Sequence, residues 1–523
     1  MTETAARSAT PAAASPDDAP PVFTHQEILR VFSGVALAML MAAMDQTIVA
    51  TALPTMASQF GGLEMLPWVV TAYLLTSTTT TPIYGKLSDL YGRKRVLQTA
   101  ILLFLVGSVL CAVAQSMTQL ILFRGLQGLG GGGLMSLAFT IIGDVVAPRE
   151  RGRYQGMIGG VFALASVAGP LLGGIFTETI GWHWIFLINL PLGVAAFAMT
   201  RSTLSRLPAG RAKPRIDVAG AALLTGAVTC LLVYATRGEA MGWGSPAGLA
   251  LLAAGLAMLA VFLWHERRIE EPILPLHLFR RPVVAVATPV VAVSAMVLFA
   301  GIVYLPLQLQ LVQGASATMS GLLLLPLVLG MTFGSVGGGR LIARTGRYKA
   351  IPLVGLALSG AMYALLGILP ELAASGLWST LILVPLGMGL GLVMPVMTVA
   401  VQNAVEQRDL GAATASVGFF RSLGGSIGVA VFGAVFNAVV SERLEGNGLS
   451  GRAVLDHGAA ALAELPPAVR GGVMATLEHG FATLFLLAAA LAVLSFAMTL
   501  FLKELPLRSS RTDRPAATPA AKG

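Results

Sequence analysis

Charge is what this chain has least of. Of its 523 residues only 11% are Asp, Glu, Lys or Arg, while 55% are hydrophobic and the mean hydropathy is +0.79. A soluble domain carries about 25% charged residues, so a water-facing exterior all round is excluded and an all-α polytopic membrane protein is expected. Cysteine is nearly absent: Cys111 and Cys230 both lie inside apolar runs, which excludes a disulfide framework. The six histidines sit at run ends or in loops, none with metal-ligand spacing, so no metal site is expected. There is no G-x-x-x-x-G-K-[ST]. The G-x-G-x-x-G of Gly128 to Gly133 and the G-x-S-x-G of Gly424 to Gly428 lie within apolar runs with no preceding strand, so nucleotide binding and hydrolysis lack support. No cofactor and no enzymatic activity are expected. The net charge of +9 does not indicate nucleic acid, because the basic residues fall in short runs between apolar stretches.

Those stretches are what is there. Runs of about 20 residues, enough to cross a hydrocarbon layer of ~30 Å, begin near Val31, Pro67, Val96, Gln119, Gln155, Trp184, Val218, Ala247, Val284, Ser320, Ile351, Leu377, Ala412 and Glu478. Fourteen spans put both termini on one side. The tails and the loops after even-numbered spans hold 28 of the 34 Lys and Arg, so this side is expected to be cytoplasmic. Five of the six Trp fall at the opposite ends, as interfacial anchors should. Residues 1–23, rich in Ala, Pro and Ser, read as a disordered cytoplasmic tail, and residues 506–523 as a second cytoplasmic tail. Thr24 and Glu27 have the spacing of a capping box ahead of the first span.

The chain also repeats itself. GKLSDLYGRKR at Gly85 to Arg95 returns as GRLIARTGRYK at Gly339 to Lys349, and Arg149 to Gly152 is echoed by Arg408 to Gly411. Two six-helix halves follow, residues 24–200 and 272–505. Between them lie a basic linker, 201–216, and a two-helix insertion, 217–271, that echoes neither half. The one long outer loop, about 441–477, reads as a cap over span ends.

Within the first span MDQTIVATALP places one acid, Asp45, among apolar residues. A carboxylate at that depth costs several kcal/mol unless protonated or paired, which leaves a proton carrier or a partner for a neighbouring helix. By helix rise Asp45 lies roughly 12 Å and Arg124 roughly 8 Å below the outer boundary, so depth alone permits a pair. Met41 shares the face of Asp45, and Tyr73, Ser77, Thr80 and Tyr84 form a stripe on the second span. The expected lining of a substrate cavity is Met41, Tyr73, Ser77, Thr80, Gln127, Gln308 and Asn403, although the stripe also suits interhelical hydrogen bonding. In the loop after span two, Gly85, Asp89, Gly92 and Arg93 suit a conformational latch, since Gly92 permits a tight turn and Asp89 can pair with Arg93 or a helix N-terminus. In span five, Gly160, Gly169, Pro170, Gly173 and Gly174 make a bend with little side-chain bulk.

The loop from Gly85 to Arg95 resembles the signature of the major facilitator superfamily, thought there to stabilise the outward-facing state. Its second copy has Ala343 in place of the acid, so an acid-based latch belongs to the first copy alone. Arg124, Gln127 and Gly128 resemble the superfamily's proton-transfer motif, and Gly160 to Gly174 its antiporter motif, which marks exporters. With MDQTIVATALP, GWHWIFLINLPLG at Gly181 to Gly193 and FFRSLGGSIGVAVFG at Phe419 to Gly433, the chain resembles the fourteen-helix drug:proton antiporters of the EmrB/QacA type over nearly all of residues 24–505. The resemblance implies a major facilitator fold in a bacterial inner membrane and proton-coupled export of hydrophobic, foremost cationic, compounds. Asp45 and Arg124 would couple the proton, and the proton motive force would take the place of a cofactor. Partners would be small substrates, protons and lipid, with a periplasmic adaptor left open. A dedicated exporter of a lipid, siderophore, antibiotic or other metabolite suits the same fold. No membrane acid occurs deep in the second half, where Arg421 is the charged residue.

Overall fold

The computed structural model describes residues 23–60, 65–206, 217–315, 317–369, 376–445 and 467–507. Most of both tails, the linker from 207 to 216 and the centre of the outer loop, 446–466, lie outside the described residues. The described chain is helical throughout, with no strand. That is the expected answer to a bilayer, because a helix satisfies its own backbone donors and acceptors where water is absent.

The first half comprises α1 (His25–Phe60), α2 (Leu66–Tyr91), α3 (Arg93–Ala112), α4 (Met117–Val145), α5 (Pro148–Thr179), α6 (Trp184–Leu187) and α7 (Asn189–Thr203). The insertion is α8 (Val218–Met241) and α9 (Pro246–Glu266). The second half comprises α10 (Pro282–Phe299), α11 (Leu305–Leu311), α12 (Ala317–Leu323), α13 (Leu325–Thr345), α14 (Ala350–Ile368), α15 (Gly376–Ala404), α16 (Leu410–Glu445) and α17 (Pro467–Leu500). Thirteen helical stretches among the described residues are long and apolar enough to cross a membrane. The helix α2 is not one of them, because Ser and Thr dilute its apolar character; its 26 residues still span about 39 Å. Each of the fourteen sequence-predicted crossings therefore coincides with a helix or an abutting pair of helices.

Local rules set the boundaries. Thr24 and Glu27 form the reciprocal capping box, Thr24 N donating to Glu27 Oε2 at 2.9 Å and Glu27 N to Thr24 Oγ1 at 3.3 Å. Ser116 accepts from Gln119 N at 3.3 Å and so caps α4. Gly92 separates α2 from α3 with φ of 88°, a backbone that side-chained residues avoid.

Each half has its own apolar core. One joins Val35, Ala42, Phe104, Leu137 and Ile158 in the first half; another joins Tyr363, Leu386, Phe432 and Phe485 in the second. The α8/α9 hairpin packs in the cleft between the halves, with Leu224, Val228 and Phe262 against Leu75 and Ile83 of α2 and Phe419 of α16. At the end carrying the basic loops, hereafter the basic end, Tyr348 lies buried after α13. Its hydroxyl donates to the Lys503 carbonyl at 3.1 Å and accepts from Leu505 N at 2.9 Å. Burial pushes that phenol up to about 12, so it stays neutral and staples the chain beyond α17 to the bundle.

The halves are shut against each other at the basic end. On one side α2 meets the start of α16, where a Cβ on Gly85 would lie 2.3 Å from Ala415 Cβ. On the other α5 meets α13, where a Cβ on Gly339 would lie 1.8 Å from the Gly152 carbonyl oxygen. The first copy of the repeated loop thus packs on the second echo, and the second copy on the first echo. Sequence repetition has become a crossed pair of contacts.

Candidate functional site

Asp45 is wholly buried inside the first half. Arg124 of α4 donates from NH1 to its Oδ2 at 2.5 Å, Gln127 Nε2 to its Oδ1 at 2.8 Å, and Asn189 Nδ2 to the same oxygen at 3.2 Å. Gln127 and Asn189 also donate to Ser108 Oγ of α3, at 2.8 and 3.2 Å. Arg124 adds bonds to the Val69 carbonyl at 3.2 Å and to Gln127 Oε1 at 2.7 Å, and its guanidinium sits 4.3 Å from the Tyr73 ring centroid. Helices α1, α2, α3, α4 and α7 therefore converge on one carboxylate and guanidinium. In a low-dielectric interior each partner is what makes the other tolerable, and the added donors complete the geometry.

The predicted pair is thus assembled. Asp45 is sealed within one bundle, with Arg124 as its counter-charge. Ser108 and Asn189 carried no assignment from sequence. Asn189 did show a signal, a lone amide in the apolar Trp184 to Gly193 stretch, where a polar group in a membrane span marks function by default.

The seven residues predicted to line a cavity are dispersed. Tyr73 and Gln127 belong to the Asp45 cluster, and Met41 lies fully buried in the apolar core of the first half. Ser77 and Thr80 face the glycine run of α4: a Cβ on Gly132 would lie 2.3 Å from the Ser77 carbonyl oxygen and 2.4 Å from Thr80 Oγ1. The stripe on α2 is a packing seam, because Gly128, Gly131, Gly132 and Gly133 of α4 let the two helices close up. Asn403 Nδ2 donates to the Pro506 carbonyl at 3.1 Å near the basic end, and Gln308 is buried in α11 of the second half. No shared wall joins them.

The latch residues are brought together. Asp89 Oδ1 pairs with Arg93 NH1 at 2.5 Å while its Oδ2 accepts from Ala412 N at 3.1 Å, at the start of α16 in the other half. There the acid meets the positive end of a helix dipole. Arg93 Nε also donates to Asp144 Oδ2 at 2.6 Å, and Gln407 Nε2 crosses from the second half to Asp144 Oδ1 at 2.7 Å. Lys86 pairs with Glu271, beyond the hairpin.

The α5 motif faces two ways. Gly169 lies against α1, where a Cβ would meet Thr47 Oγ1 at 1.9 Å, and Thr47 Oγ1 donates to both the Met44 and Ala165 carbonyls at 3.0 Å. A hydroxyl from α1 thereby ties α1 to α5 one residue before Ser166, whose carbonyl loses its helical donor to Pro170. Gly160 faces Thr332 of α13, Gly173 is buried, and Gly174 has open space beside it. Thr47 is two residues beyond Asp45, so the bend and the ion pair share one turn of α1.

The family model described as Major Facilitator Superfamily matches residues 35–429. An uncharacterised MFS-type transporter of Mycobacterium tuberculosis is 39% identical over 487 residues, covering 92% of this chain and 70% of its own. Multidrug resistance protein 3 of Bacillus subtilis is 34% identical over 497 residues, covering 92% and 96% respectively. Among solved structures, the human organic anion transporter MFSD10 matches with a TM-score of 0.61 at 17% identity, over 90% of this chain and 99% of that one, a likeness of fold.

Proposed function

The chain belongs to the major facilitator superfamily, and we propose that it is a proton-coupled exporter of hydrophobic compounds, of the fourteen-helix drug:proton antiporter kind. The observation that carries this reading is the sealed Asp45–Arg124 pair. A buried ion pair adds little stability over apolar packing, whereas removing one charge leaves the other stranded at a cost of about 3–5 kcal/mol. A proton on Asp45 does just that to Arg124. The helix carrying Asp45 must then shift to bring Arg124 a new partner or water, and through Thr47 and Gly169 that shift reaches α5, which packs on α13 of the other half.

Magnitudes bound the scheme. A membrane potential of ~100 mV supplies about 2.3 kcal/mol per inward charge, less than the cost of stranding Arg124, so the rearrangement must recover part of that cost. The same ~2.3 kcal/mol supports roughly a fifty-fold gradient of a neutral substrate per proton. We assign the basic end to the cytoplasm of a bacterial inner membrane, on the positive-inside bias of its loops. The shut basic end then corresponds to an outward-facing state held by Asp89, Arg93 and Asp144.

The test is uphill movement of ethidium in proteoliposomes under an imposed pH gradient. Asp45→Asn is expected to abolish the pH-driven component while facilitated downhill movement persists. Accumulation equal to wild type would remove Asp45 from coupling, and no movement of any lipophilic dye by the wild type would overturn the multidrug reading.

A further inference from the structure

Arg421, on α16 of the second half, is the intramembrane charge that the coupling scheme leaves unused. Its guanidinium lies 5.2 Å from the Phe139 ring of α4 and 5.5 Å from the Phe162 ring of α5, both in the first half. Among the described residues it has no ion pair and no hydrogen bond. It lies 11 residues into α16, about 16 Å from the basic end, yet it is only partly buried. A side chain so placed lies where the two halves face each other and is not fully packed there.

Toward the basic end two buried amides have unmet polar capacity. Gln155, two helical turns from Phe162 on α5, is fully buried with neither amide atom bonded among the described residues. Gln402 donates to the Phe139 carbonyl at 3.2 Å, while its Oε1 has no partner among the described residues. An isolated guanidinium held on aromatic faces keeps its in-plane donors available, which suits a carboxylate or sulfonate. The expectation of cationic substrates came from the family resemblance. With Asp45 sealed against Arg124, the charge offered between the halves is positive.

We propose that Arg421, with Phe139 and Phe162, is the recognition site for the head of an anionic amphiphile whose apolar, preferably aromatic, body lies along the two rings. The proposal rests on the reading of this chain as a transporter and names the substrate class of its central space. The same head chemistry occurs in a soluble acid and in an anionic lipid.

Pyrenebutyrate and a pyrenyl-trimethylammonium ion share one ring system and differ in head charge. Their equilibrium binding to the full chain in phosphatidylcholine nanodiscs, read by fluorescence anisotropy against empty discs, needs no proton gradient. The wild type is expected to bind the anion more tightly than the cation. Arg421→Ala should weaken the anion by about tenfold or more, Arg421→Lys should retain most of the affinity, and the cation should bind no worse. Arg421→Gln serves in place of the alanine variant should that one not fold, with the same loss expected. Unchanged anion affinity in the neutral variants, or equal loss of both probes with lysine failing to rescue, would overturn the proposal. Replacing part of the lipid with phosphatidylglycerol separates the sources: competition identifies a lipid head as occupant, and its absence a soluble amphiphile. Because binding is measured without a gradient, loss of pH-driven ethidium transport would count against the exporter reading and leave the anion site standing.

Discussion

Arg124 and Asp45 illustrate how one membrane charge is tolerable only while the other is present. The guanidinium has four further partners, Val69, Gln127 and the rings of Tyr73 and Phe186, yet all are neutral and cannot replace a counter-charge. Asp45→Asn should therefore lower the melting temperature in detergent, in keeping with a penalty of about 3–5 kcal/mol for a stranded buried charge. The double variant Asp45→Asn/Arg124→Gln should recover much of that loss, since two neutral amides can bond to each other and to Asn189. A double variant less stable than the single one would mean that Arg124 has another charged partner in the native state.

Among the elements, α5 joins the halves on the side opposite α2 and α16. Its first turns meet α13 backbone to backbone at Gly152 and Gly339, and its bend at Pro170 rests on Thr47. A side chain at Gly339 has no room while the basic end is shut. In a chain lacking Cys111 and Cys230, with a reporter Ala412→Cys, Gly339→Val should raise maleimide labelling from the basic side several-fold. Asp89→Asn should raise it less, because Arg93 keeps its bond to Asp144 and only the acid's contact with the start of α16 weakens. Equal labelling in all three proteins would show that these contacts do not hold the end closed.

For the whole molecule, the α8/α9 hairpin touches both halves, through α2 and α16, and Lys86–Glu271 adds an ion pair beside it. That pair is partly solvated, with side chains 15% and 28% exposed, so it is worth about 1 kcal/mol or less. Lys86→Ala should change the ethidium transport rate by less than about threefold at physiological salt. A far larger loss, with folding intact, would give the hairpin junction a part in the transport cycle that its apolar packing does not require.

By itself the sequence determined where each helix runs, that the chain is built from two related halves, which charges enter the membrane, and that Asp45 and Arg124 lie at similar depth. These follow from composition and from the constant rise of a helix along its axis. Rotation about that axis, and the neighbour met there, were decided only in the tertiary structure. The stripe Tyr73, Ser77 and Thr80 is equally amphipathic against water or against a glycine seam; the glycines of α4, some fifty residues away, made it a seam. Asn189 reaches Asp45, and Ser108 its partners Gln127 and Asn189, only because α7 and α3 pack around α1, and among the described residues Arg421 meets phenylalanines of α4 and α5 in place of a counter-charge. Periodicity sets height and face within one segment, while the choice of partner depends on several segments packing at once.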